Sequence, residues 1–185
     1  MAQTAPTGPT CDETHHSEFD FWVGEWNVYS RATEEGPGAY LGHNRVEKRH
    51  SNCLISENWT SATGGTGESM NFFDPFVNQW RQVWTGGGWT IDYTGGLNED
   101  GAMVLTGRVH ALPGGTISDF RGTWALREDG TVSQFFEQKN AEGEWQASFL
   151  GIYVRVENDA RAEESEAARL AVTLQAAIDA AESTE

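Results

Sequence analysis

Six polar side chains stand in the middle of otherwise apolar, alternating segments: Asn44, Glu57, Asn71, Gln82, Arg121 and Gln134. If those segments are strands, a period of two sets each of them on one face with large apolar neighbours. CLISENWT aligns Glu57 with Cys53, Ile55 and Trp59, and QWRQVWT aligns Gln82 with Trp80 and Trp84. SQFFEQ puts Gln134 with Phe136 against Phe135 and Glu137, and Asn44 shares a face with Val46 against Arg45 and Glu47. A carboxylate among indole rings has its charged form disfavoured unless Arg121 or amide donors compensate. Such a glutamate can act as a general acid or base, or can anchor a ligand hydroxyl or amine. The plain alternative is a buried hydrogen-bond network that fixes the fold.

The remaining chemistry-bearing residues carry less. CDETHH offers Cys11, Asp12, Glu13, His15 and His16, all able to ligate a transition metal, but the segment reads as a solvated tail without a second shell, so no metal is expected. His43, His50 and His110 match no metal or haem spacing, and no histidine follows His110, so the late strands offer no haem ligand. GGTGES and GGGWT lack the GK[ST] ending of a phosphate loop and read as hairpin turns; no cofactor is expected. Asn58-Trp59-Thr60 matches a glycosylation sequon inside a predicted strand and is read as chance.

The elements that position these residues follow from composition and punctuation. The 185 residues suit a single domain, and 21 Gly against 5 Pro, with 8 Trp, 9 Phe and 4 Tyr, favour short strands and tight turns around a bulky core. Turn signals at 34–38, 64–67, 74–75, 86–88, 98–101, 113–115, 128–130 and 142–143 delimit strands near 22–31, 40–49, 53–61, 68–73, 79–85, 88–94, 102–110, 117–126, 131–138 and 144–156. Ten strands joined by short turns leave no room for helical crossovers. The predicted fold is therefore all-β, an up-and-down antiparallel β-barrel.

Two flanks complete the organisation: a flexible arm over 1–17 and an acidic amphipathic helix within 157–185, with the barrel domain at 18–156. Ala167, Leu170, Ala171, Leu174, Ala177, Ile178 and Ala181 fall at helical spacing, and Asn158 or Asp159 suits the N-cap. This face can dock on the barrel wall or on a second copy of the chain, giving a homodimer. Segment 157–185 carries eight acids and two bases, and the whole chain a formal charge of −16, which disfavours membrane surfaces and nucleic acids as partners. No apolar run is long enough for a membrane helix. MAQTAPTGPT lacks the features of a signal peptide, as in a cytoplasmic protein, yet would also suit the mature terminus of a periplasmic or secreted one. Cys11 and Cys53 allow at most one disulfide.

FDFWVGEWNV (19–28), GHNRVEK (42–48), NCLISENW (52–59), GESMNFFDP (67–75), WRQVW (80–84), GTW (122–124) and GIYVR (151–155) occur in this order. In these phrases, over about 18–156, the chain resembles a bacterial lipocalin-like family of uncharacterised β-barrel proteins. The resemblance implies a calycin-type barrel, in which GEW at 24–26 looks like the GxW signature and Arg155 would pack over Trp26. It implies no activity, and the C-terminal helix departs from the family's pattern.

The leading expectation is binding of a small, mostly apolar or aromatic ligand inside the barrel, by walls of Trp59, Trp80, Trp84 and Phe136 and polar selectors Asn44, Glu57, Asn71, Gln82, Gln134 and Arg121. The alternative is a cofactor-independent isomerase, cyclase or lyase with Glu57 as proton carrier and Arg121 stabilising developing charge. A third reading makes the C-terminal helix the working part of an assembly module. An inward Glu57 with a raised pKa in an open cavity would favour catalysis, a dry filled barrel the structural reading, and a cavity without titratable groups binding.

Overall fold

In a computed structural model, which describes residues 10–32 and 38–182, the alternating segments become ten antiparallel strands closed into a barrel. They are β1 (Gly24–Tyr29), β2 (Tyr40–Arg49), β3 (Leu54–Ser61), β4 (Thr66–Asp74), β5 (Gln79–Gly86), β6 (Trp89–Leu97), β7 (Met103–Ala111), β8 (Ile117–Leu126), β9 (Val132–Lys139) and β10 (Trp145–Arg155). Each strand pairs with its neighbours in sequence, and β1 closes the ring on β10 through Trp26↔Arg155 and Val28↔Tyr153. The predicted fold class is the observed one. The expected turn at 34–38 falls largely outside the described residues.

Alternation decides what fills the interior. In β8, Phe120, Gly122 and Trp124 are buried while the residues between them are partly exposed, and β3, β4 and β5 follow the same rhythm. One end of the barrel is packed solid. Before β1, short 3-10 turns at Thr14–Ser17 and Asp20–Trp22 carry Phe19 and Trp22 into it. Phe19 stacks on Trp22 with ring centroids 4.9 Å apart and meets Trp80 and Trp124 edge-on. Each such fully buried side chain contributes on the order of 1.5–3 kcal/mol relative to exposure. Trp26 lies beneath the Arg155 guanidinium at 4.3 Å, and Arg155 also donates to the Val23 carbonyl at 3.2 Å. A Cβ on Gly24 would collide with that guanidinium, so this position must remain glycine for the stack to form.

The arm differs from the expectation. Residues 1–9 lie outside the described part, but from Cys11 onward the segment is tied to the barrel. Cys11 is bridged to Cys53, its amide donates to Ser51 O at 3.0 Å, and the Trp80 indole donates to His15 O at 3.2 Å. Lys48 pairs with Asp20 at 2.7 Å. The segment has no periodicity because it is a plug, held by single anchors rather than by a repeating face.

The C-terminal helix, α1 (Ala162–Glu182), packs outside the barrel beside β2 and is tied to β1 through Tyr29. Asp159 accepts from Asn27 and Tyr29 at 2.6 Å each and from the Arg161 amide at 2.9 Å, closing the turn before the helix, which begins at Ala162, later than an N-cap at Asn158 or Asp159 would place it. Tyr29 also shares a hydrogen bond with Ser165, and Arg161 lies over the Tyr29 ring while donating to Gly38 O at 2.7 Å. The docked side is thus polar. The anticipated apolar row points away from the barrel, with Leu170 63%, Leu174 64% and Ile178 42% exposed. The side chains of Ala177 and Ala181 lie outside the described ones. No helix among the described residues is long and apolar enough to cross a membrane.

Candidate functional site

Across the middle of the barrel runs a belt of buried polar groups. Its chain of donors begins at Tyr93, whose hydroxyl donates to Gln82 Oε1; Gln82 Nε2 donates to Asn71 Oδ1. Asn71 Nδ2 donates to Ser69 Oγ at 2.9 Å, and Ser69 donates to Glu57 Oε2 at 2.6 Å. From the other side Asn44 Nδ2 donates to Glu57 Oε1 at 2.8 Å and lies 3.4 Å from the Tyr153 hydroxyl, which itself donates to Gln134 Oε1. Every donor of the first chain points toward the carboxylate. That polarity is the one an ionised Glu57 requires, since a carboxylate only accepts.

Each member arrives by strand period. Glu57 faces Ser69 across the β3–β4 ladder, Asn71 faces Gln82 across β4–β5, and Gln82 faces Tyr93 across β5–β6. The alternation of small and large polar groups lets each reach its neighbour without leaving the pleat. Glu57 is only 4% exposed, and burial raises its pKa to about 6 against the lowering effect of Ser69 and Asn44. Burial, together with the Glu57 charge, drives the Tyr93 and Tyr153 phenols well above their ordinary value, so both stay neutral.

Above the belt, away from the plug, the barrel is hollow. A cavity of about 380 Å³ has Glu57, Gln82, Gln134, Tyr93 and Tyr153 among its lining. Trp59, Trp84, Trp89, Phe120, Phe136 and Phe149 supply aromatic wall, with Ile91 and Val109 between them. The volume lies within the range of about 300–1,000 Å³ common for small-molecule pockets. Trp84 lies flat over Gly67 on the adjoining strand, where any Cβ would collide with its ring. Trp89, 42% exposed, stands beside the Gly86–Gly88 turn at the open end.

Of the residues singled out in the sequence, Glu57, Trp59, Gln82, Trp84, Gln134 and Phe136 line this cavity. Asn44 and Asn71 are buried in the belt behind it. Two assignments need correction. Arg121 does not face the interior: it lies between inward Phe120 and Gly122, turns outward, pairs with Glu137 at 2.6 Å and stacks over Trp145. Trp80 is inward but belongs to the plugged end, donating to His15 O and to Glu18 at 3.1 Å. The sequence reading missed Tyr93 and Tyr153, although Tyr93 is in phase with Ile91 and Tyr153 with Gly151. It also missed Ser69, in phase with Asn71.

The CDETHH residues are engaged otherwise, Cys11 in the disulfide and both His15 and His16 against Phe73. No cluster of three or more metal-ligating side chains occurs among the described residues. The fold and site together define a closed, one-ended β-barrel with an aromatic cavity floored by a buried carboxylate. Compared with known proteins, the chain matches no protein-family model and no curated protein sequence.

Proposed function

We propose that this protein is a lipocalin-like binder of a small, mostly apolar or aromatic molecule, held in the barrel cavity. The observation that carries the reading is the pairing of an open aromatic cavity with a plugged opposite end, which gives a ligand one apolar chamber and a polar floor. Affinity would come chiefly from apolar burial and orientation from Glu57, Gln82 and Gln134. The Cys11–Cys53 bridge favours an oxidising, exported location, where disulfides persist. Native mass spectrometry of freshly purified protein tests the reading: a retained small molecule, or stoichiometric uptake of a naphthalene-class probe, is expected. Failure to take up any such probe would refute it.

A second reading, a cofactor-independent isomerase, cyclase or lyase, is favoured by one observation: a carboxylate with a pKa of about 6 at the cavity floor, suited to moving protons near neutral pH. Arg121 has no part in it, being on the outer face. Glu57→Gln that keeps ligand affinity and abolishes turnover of a bound substrate would support it.

A further inference from the structure

Building on the small-molecule reading, we propose that the ligand is an organic cation: an amine whose ammonium group sits on Glu57 while its apolar part fills the aromatic cavity. The argument begins with what Glu57 lacks. Its hydrogen-bond donors, Asn44 and Ser69, are neutral, and none of the residues lining the cavity is basic. The cation that the sequence suggested for it, Arg121, is on the other side of the wall. A buried charge without a counter-charge is costly, and a ligand that brings the missing positive charge recovers that cost on binding. Asn44 Oδ1, buried in the belt behind the carboxylate, likewise has no donor among the described residues, so the belt under the cavity is short of donors. An ammonium group supplies donors and accepts from nothing.

The walls agree with the floor. Trp59, Trp84, Tyr93 and Phe136 present π-faces or edges to the same space, and aromatic faces attract cations more strongly once desolvated. The chain's formal charge of −16 draws cations toward the protein and repels anions. A fatty acid or other carboxylate would set charge against like charge at the floor; a neutral ligand would leave Glu57 uncompensated.

The groups facing Glu57 are Asn44 from β2, Ser69 and Asn71 from β4, Gln82 from β5, Tyr93 from β6, Gln134 from β9 and Tyr153 from β10. The two phenols stay protonated, so of this set only Glu57 changes charge in the mildly acidic to neutral range.

The test compares three probes with one ring system, 2-(1-naphthyl)ethylamine, 2-(1-naphthyl)ethanol and 1-naphthaleneacetate, by calorimetric titration of the full chain at about pH 7.5. The amine is expected to bind at least about tenfold tighter than the alcohol, with the acetate weakest. The preference should shrink toward parity as pH falls through about 6, where Glu57 gains its proton, and should vanish in Glu57→Gln while the alcohol still binds. Should that variant fail to fold, the pH series on the unaltered chain decides. Alcohol or acetate binding as tightly as the amine would overturn the cationic ligand and leave the binding reading standing. No binding of any probe would overturn both.

Discussion

Ser69 and Glu57 are register partners on adjoining strands, and the Ser69 hydroxyl donates to the Glu57 carboxylate at 2.6 Å in the middle of the barrel. The pair shows how the fold holds a charge without a cation: strand pairing delivers a neutral donor to one oxygen and Asn44 delivers another to the second. Those donors offset burial only in part, since the carboxyl still titrates near 6.

The sign of the pH effect follows. The folded pKa of Glu57, about 6, lies above the ordinary glutamate value of 4.5, so the folded state holds the proton more tightly and loses this stabilisation as pH rises from about 4.5 to 6. The difference corresponds to about 2 kcal/mol. Glu57→Gln should therefore melt higher than the unaltered protein at neutral pH, and the gap should close in acid, as read by thermal denaturation across pH. A variant less stable at neutral pH would show that the donors from Ser69 and Asn44 outweigh desolvation.

Arg121→Ala should leave probe binding unchanged. The side chain is 35% exposed and pairs with Glu137 on the outer surface, so stability should fall by no more than about 1 kcal/mol, part of it from lost packing on Trp145. A change of affinity beyond about twofold in titration would contradict the outward placement.

Cys11→Ser should destabilise the barrel by about 2–4 kcal/mol, because the bridge spans a sequence separation of 42 and pins the segment leading into the plug. Chemical denaturation with and without reductant measures it. The unaltered protein should show the same loss on reduction, and the variant none.

Tyr29→Phe should loosen α1 while sparing the cavity. The hydroxyl joins Asp159 and Ser165, and burial with the adjoining Asp159 raises its pKa to about 12, so it donates as a neutral phenol throughout the neutral range. Limited proteolysis should cut within the helix faster, with naphthalene-probe affinity unaltered. Equal protection would mean that Asp159 and Arg161 suffice to hold the helix.

The barrel was legible because period-two alternation is uninterrupted in most strands and turn residues separate them; β2, β5 and β9 fall within a residue or so of their expected limits. The errors have physical causes. Arg121 is counted among the interior polar residues, yet Phe120 and Trp124 already fix the phase of β8 the other way. The compensation for Glu57 comes from the Asn44 amide, the kind of donor expected, and from the Ser69 hydroxyl, which the sequence reading does not single out for it. Trp80 shares its face with Gln82, as alternation says, but alternation is silent on depth along the barrel. The plug that claims Trp80 comes from an aperiodic segment. Tyr93 and Tyr153 are readable by phase, but a tyrosine at such a position suits an ordinary core equally well.

The seam between β1 and β10 has a consequence for how the chain reaches its native state. Trp26 meets Arg155 only when the last strand is present, and β10 also supplies Phe149 and Tyr153 to the cavity. During synthesis the nascent sheet can grow hairpin by hairpin, but until its final strand leaves the ribosome both margins are unpaired and open to wrong partners. Ring closure joins the most distant segments and belongs to the slow class of folding events. The aromatic cavity does not exist before that closure, so nothing that occupies it could template the early sheet; an occupant could only secure a barrel that has already shut.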